Sequence, residues 1–121
     1  MSFNDTLNNL LQDTPHSLAA TLMGYDGISI ITVQGKTAST SLDINALFVE
    51  YSSLLNQIRE AAKMFETGLI KEVIISTENL SVILRVLTEE YFAALVLTPE
   101  ANIGRGRYKM RVAAPKLASE L

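Results

Sequence analysis

Residues 72–97 read EVIISTENLSVILRVLTEEYFAALVL. Three β-rich runs lie within them, 72–77, 80–88 and 91–97, separated by Glu78-Asn79 and Glu89-Glu90. Connections this short join antiparallel neighbours, because a parallel crossover needs about a dozen residues or more. The stretch therefore reads as a three-stranded meander, and the rest of the chain has to cover its faces.

The segment just before it supplies one cover. Asp43 is placed to cap a helix over about 44–67, with Gly68 in the C′ position. Ile44, Leu47, Phe48, Tyr51, Leu54, Leu55, Ile58, Ala62 and Phe65 recur at helical spacing and form its main apolar face. A milder stripe runs opposite, through Ala46, Val49, Ser53, Asn56, Glu60 and Met64. Its small, half-apolar residues suit either a second helix coming close or a tolerant solvent face.

Further upstream, 18–24 and 28–33 read as a hairpin around Tyr25-Asp26-Gly27, with Gly27 free to take positive φ. The polar, Ser/Thr-rich segment 34–42 reads as a connecting loop. At the start, Ser2 caps a helix with Asp5 as capping-box acid, and Phe3, Leu7, Leu10 and Leu11 share one face. Asp13-Thr14-Pro15 ends it. After the meander, Asn102 caps a last helix with inner residues Ile103, Gly106, Met110, Ala113, Ala114, Leu117 and Leu121. Pro115 falls inside that pattern and is expected to kink or split it. The order is α-β-β-α-β-β-β-α: an α+β fold with a five-stranded antiparallel sheet, spanning 1–121 as a single domain. The long helix is expected on one face and the terminal helices on the other.

Composition narrows the chemistry. The 121 residues contain no cysteine and one histidine, His16, which removes disulfides, thiolate catalysis and zinc sites built from Cys or several His. No apolar run approaches the roughly 20 residues of a membrane helix, and the N-terminus lacks a signal peptide's basic and apolar regions. With no cysteine, this fits a reducing cytoplasm. Residues 1–100 carry 12 acidic and 5 basic side chains, whereas 101–121 carry 5 basic and 1 acidic. An acidic body argues against nucleic-acid binding.

Site candidates are few. Asp13, His16 and Ser17 make a superficial acid–base–nucleophile set, but neighbours in a helix-to-strand loop cannot easily adopt a triad's geometry. Asp26 and Glu89-Glu90 belong to turns. Gly104-Arg105-Gly106-Arg107 resembles a fragment of a phosphate loop without the strand-to-helix switch or the lysine–hydroxyl pair. No catalytic residue, cofactor or metal is expected, and the chain reads as a non-enzyme. Arg105, Arg107, Lys109 and Arg111 form the one charge cluster. They are either a solvated helix surface or an electrostatic contact with an acidic partner or phosphate.

Two segments, AATLMGYDGI at 19–28 and NIGRGRYKM at 102–110, resemble the roadblock light-chain family, in order and spacing along essentially the whole chain. The closing GRYKMRVAAPK at 106–116 is similar to its bacterial gliding-motility and polarity branch. The resemblance implies a profilin-like sheet and a homodimer in which the long helices pack side by side and the 72–77 strands pair across two chains. It implies binding rather than chemistry, as a scaffold or regulator of small Ras-like GTPases. The dimer or partner surface would then comprise Ala46, Val49, Ser53, Asn56, Glu60, Met64, Val73 and Ile75. GTPase-binding roadblock helices of the bacterial branch are often rich in Gly and Ala, whereas this one carries Glu50, Gln57, Arg59, Glu60 and Lys63. That departure favours an adaptor binding a roadblock-type GTPase activator. A direct GTPase-activating co-regulator is the second reading. A small-ligand sensor ranks last, because no convergent polar cluster sits among the apolar positions.

Overall fold

The computed structural model describes residues 2–35 and 42–121. Its elements are α1 (Phe3–Asp13), β1 (Ser17–Gly24), β2 (Ser29–Gln34), α2 (Ile44–Met64), β3 (Glu72–Ser76), β4 (Ser81–Val86), β5 (Tyr91–Leu97) and α3 (Ile103–Ser119). The expected loop over 34–42 begins one residue later than anticipated, because Gln34 closes β2. Positions 36–41 of it lie outside the described residues.

All five strands join one antiparallel sheet in the order β2-β1-β5-β4-β3. The centre pairs the first strand with the last, Thr21 opposite Ala94. Every residue of β1 is buried, as are the last six of β5, since both sheet faces are covered there. On one face, Leu7 and Leu10 of α1 and Met110, Ala113 and Leu117 of α3 pack on Ala20, Leu22, Ile83, Ala93, Leu95 and Leu97. On the other, Ile44, Phe48 and Leu55 of α2 pack on Ala19, Met23, Val82, Leu84, Phe92, Ala94 and Val96. Leu18 joins Ala19 on the α2 side because the β1–β5 register shifts between Ser17 and Ala19.

The three expected caps form: Ser2, Asp43 and Asn102 accept from the amides of Asp5, Ala46 and Arg105 at 3.2, 3.0 and 3.0 Å. The hairpin turn closes through Gly27 N–H to the Gly24 carbonyl at 3.0 Å, with Gly27 at φ 85°.

Four boundaries or faces differ from the sequence reading. Helix α2 stops at Met64, not 67. Glu66 takes the left-handed C′ position at φ 54°, its amide donating to Lys63 O and that of Thr67 to Ala62 O, a Schellman closure. Gly68, also at positive φ, lies beyond it. The β3–β4 and β4–β5 connections are longer than two residues, because the hydroxyls of Thr77 and Thr88 take the amides of Leu80 and Tyr91 and end the ladders early. Pro115 does not split α3, which runs unbroken from Ile103 to Ser119. The ring is exposed, so the carbonyl of Arg111, deprived of its helical donor, sits at the surface. Finally, Leu54 and Phe65 are exposed and Leu121 lies outside the core, whereas Ser52 is buried in the α2 face. A Cβ on Gly27 would stand 3.7 Å from Ser52 Oγ, ordinary contact distance, so the hairpin turn lies against α2 at Ser52.

Candidate interaction surface

Ser17, His16 and the Gly104–Arg107 segment are held by structural contacts. Ser17 Oγ is buried and donates to the carbonyls of Thr14 and Leu11 at 2.7 and 3.2 Å. His16 is exposed at φ 69°, and its carbonyl accepts from Thr98 N–H. Gly104-Arg105-Gly106-Arg107 is the first part of α3, not a loop, and the Gly106 amide bonds within the helix to Asn102 O. A Cβ on Gly106 would come within 3.1 Å of Ile83 Cδ1, so this glycine seats the helix on the sheet. Among the described residues no group of three acidic or histidine side chains could hold a metal.

The outer face of α2 carries the expected stripe. Ala46, Val49, Ser53, Glu60 and Met64 are exposed, Met64 at 77%. Asn56 is half-buried because its amide donates to Tyr25 O at 2.9 Å. Ser53, Asn56, Gln57, Glu60, Ala61 and Met64 line a shallow concavity of about 490 Å³. Glu60 pairs with Lys63 at 3.6 Å along the helix. Arg59 turns inward: its guanidinium lies 3.8 Å from the Tyr25 ring centroid, and Nη2 donates to Glu89 O. Tyr25 in turn packs on Phe92 with ring centroids 5.3 Å apart. Burial pushes its phenol up, against an opposing pull from Arg59. Exposed Phe65 and Leu69, at 73% and 86%, extend the apolar surface past the helix end.

Among the described residues strand β3 pairs with β4 alone, so its outer edge offers free backbone groups. Val73 and Ile75 are half-buried on the α2 side. Ile74 faces the opposite side and is more exposed. Strict alternation places it on the other face from Val73 and Ile75, outside the expected interface.

The basic cluster divides. Arg105 Nε donates to the Asp13 carbonyl, and Lys109 Nζ lies 3.9 Å from the Asp13 carboxylate, so both serve the α1–α3 contact. Arg107 instead reaches across to β3 and meets Glu72 Oε1 at 2.9 Å, while Arg85 Nη1 lies 3.6 Å from Glu72 Oε2. The Arg111 guanidinium stands 5.6 Å from the Tyr108 ring centroid. Alternation in sequence, every second residue, placed these charges on two sides of one helix.

Comparison with solved structures decides the family. MglC from Myxococcus xanthus is 40% identical over 100% of both chains, with a TM-score of 0.73. The chain belongs to the roadblock family. Two further roadblock-fold structures share its architecture at low identity. The gliding protein MglB from Thermus thermophilus is 17% identical, covering 96% of this chain and 85% of its own, with a TM-score of 0.86. A Roadblock/LC7 domain from Streptomyces avermitilis is 17% identical over 99% and 98%, with a TM-score of 0.83. No family model and no curated protein sequence matches. In this roadblock chain, no helix among the described residues is long and apolar enough to cross a membrane.

Sequence reasoning missed Leu54, Ile74, Lys71 and Arg85 as surface features of this roadblock chain. The first two were hidden by an idealised period. The basic pair lies far from 105–111 in sequence and joins α3 only through the fold.

Proposed function

We propose that this roadblock protein is a non-catalytic, cytoplasmic homodimeric adaptor in a small Ras-like GTPase switch for cell polarity or motility. The observation that carries the reading is the exposed α2 stripe of Ala46, Val49, Ser53 and Met64 on the same side of the sheet as the half-buried Val73 and Ile75 of the unpaired β3 edge. Two copies packing α2 against α2 and β3 against β3 would remove an apolar face and a free sheet edge together. The 40% identity to MglC and the fold shared with MglB support a motility system. The partner in this reading is a roadblock-type GTPase activator, not the GTPase itself. Arg59, the one arginine on α2, is held by Tyr25 and Glu89 and is not presented to a nucleotide.

Sedimentation velocity tests the dimer, and affinity capture with partner identification tests the switch. Wild type should sediment as a dimer at micromolar concentration. Val49→Asp and Ser53→Arg, both at exposed positions, should leave the monomer folded and break the dimer. Burying an unpaired charge costs about 3 kcal/mol or more, and a two-fold interface counts it twice. A monomeric wild type would overturn the homodimer.

A further inference from the structure

Between α3 and the start of β3 lies a groove of about 530 Å³, lined by Lys71, Glu72, Arg85, Arg107, Tyr108 and Arg111, with Gly104 at one end. Four cations meet one carboxylate there, in a protein whose overall charge is −3. Glu72 is largely enclosed and lies within 2.9 Å of Arg107 and 3.6 Å of Arg85. It shows what the groove holds well: a carboxylate between guanidinium groups. Among the described residues, Lys71 and Arg111 have no carboxylate partner, so one acid leaves most of the positive potential uncompensated.

We propose that this groove binds an acidic, extended segment of a partner protein through consecutive outward carboxylates. The inference rests on the adaptor reading and names the chemistry of the segment such an adaptor would hold. Two features favour a row of carboxylates over a phosphate. Arg107 and Arg111 are one helical turn apart, about 6 Å along α3, close to the spacing of alternate side chains on an extended strand. Phosphate sites at helix starts use free backbone amides, and Asn102 Oδ1 already occupies that of Arg105. The segment would lie on the α3 side of the sheet, where Glu72 points. The outer β3 edge stays available to a second copy.

The test is titration of the isotope-labelled chain with hexaglutamate, followed by amide chemical shifts, with hexaglutamine as control and pyrophosphate as a second arm. Hexaglutamate should shift the amides around 71, 85, 107 and 111, more weakly as salt rises. Lys71→Gln with Arg111→Gln should weaken it roughly tenfold, for two lost charge contacts. Arg105→Gln with Lys109→Gln removes the same net charge on the Asp13 side and should change affinity less than about twofold. Absence of shifts in the groove, equal losses from the two double variants, or binding of pyrophosphate alone would each overturn the proposal. Sedimentation separates the readings: a monomer that still binds hexaglutamate refutes the homodimer, and a dimer that does not refutes the groove.

Discussion

Glu66 holds a left-handed backbone that costs a side-chain-bearing residue about 1–2 kcal/mol, yet it closes α2 with two carbonyl bonds. Glu66→Gly should therefore stabilise the chain by about 1 kcal/mol, and Gly68→Ala, at φ 95°, should destabilise it similarly; urea denaturation reads both. The sequence signal at this site was the glycine, and the helix ended before it because hydrogen bonding overrode residue preference. Tyr25 offers a pH-dependent counterpart. Its hydroxyl is buried without a hydrogen-bond partner among the described residues, and burial raises its ionisation above the ordinary value near 10. The folded chain thus keeps the phenolic proton to higher pH than the unfolded chain. The stabilisation is complete below about pH 10 and is lost as pH rises through the folded value. Tyr25→Phe should keep or raise the melting temperature at neutral pH, since it removes an unsatisfied buried hydroxyl, and should flatten the decline above about pH 10. Thermal melts across the alkaline range check this.

Helix α3 shows how a single element carries two kinds of instruction. Gly104 faces open space apart from Asn102 Oδ1 at 3.4 Å, whereas Gly106 sits against Ile83, Leu97 and Leu95. Gly104→Ala should raise stability by about 0.5 kcal/mol through helix preference alone. Gly106→Leu should lower it by about 2 kcal/mol or more, because the helix must lift from the sheet. Comparative chemical denaturation distinguishes the two. Periodicity made the helices, the hairpin and the meander legible, and the caps at Ser2, Asp43 and Asn102 could be read directly. Pro115 was misleading because its exposed position lets the lost bond face water. On α2, the face was legible in its first half, where Ile44 and Phe48 are buried. It failed at Leu54 and Ser52, where contact with the Gly27 turn, a long-range event, decides which side faces in. The exposed stripe of α2, proposed above as an interface, was visible as small, half-apolar residues at helical spacing. The α3–β3 groove was not, since Lys71 and Arg85 come to it by strand pairing.

For the whole molecule, the two covered sheet faces leave apolar surface at the α2 stripe and the sheet edges, and surplus charge in one groove. In the proposed non-catalytic role the chain has no nucleotide to hold, and Gly104-Arg105-Gly106-Arg107 lacks the lysine–hydroxyl pair of a phosphate loop. Calorimetric titration with GTP and ATP, with a phosphate-release assay, should show neither saturable micromolar binding nor turnover. The sheet order has a temporal consequence as well. Because β1 pairs with β5, the middle of the sheet joins the two most distant strands, and the early hairpin has no partner for its inner edge until β5 exists. A chain emerging from the ribosome would carry that strand, buried along its whole length in the finished fold, uncovered while everything up to Leu97 is made. Closing so long a loop comes before most of the stabilising contacts, so folding should be slow for a protein of this size and should wait on β5. Until β5 exists, the inner edge of β1 is an unpaired strand edge open to non-native pairing.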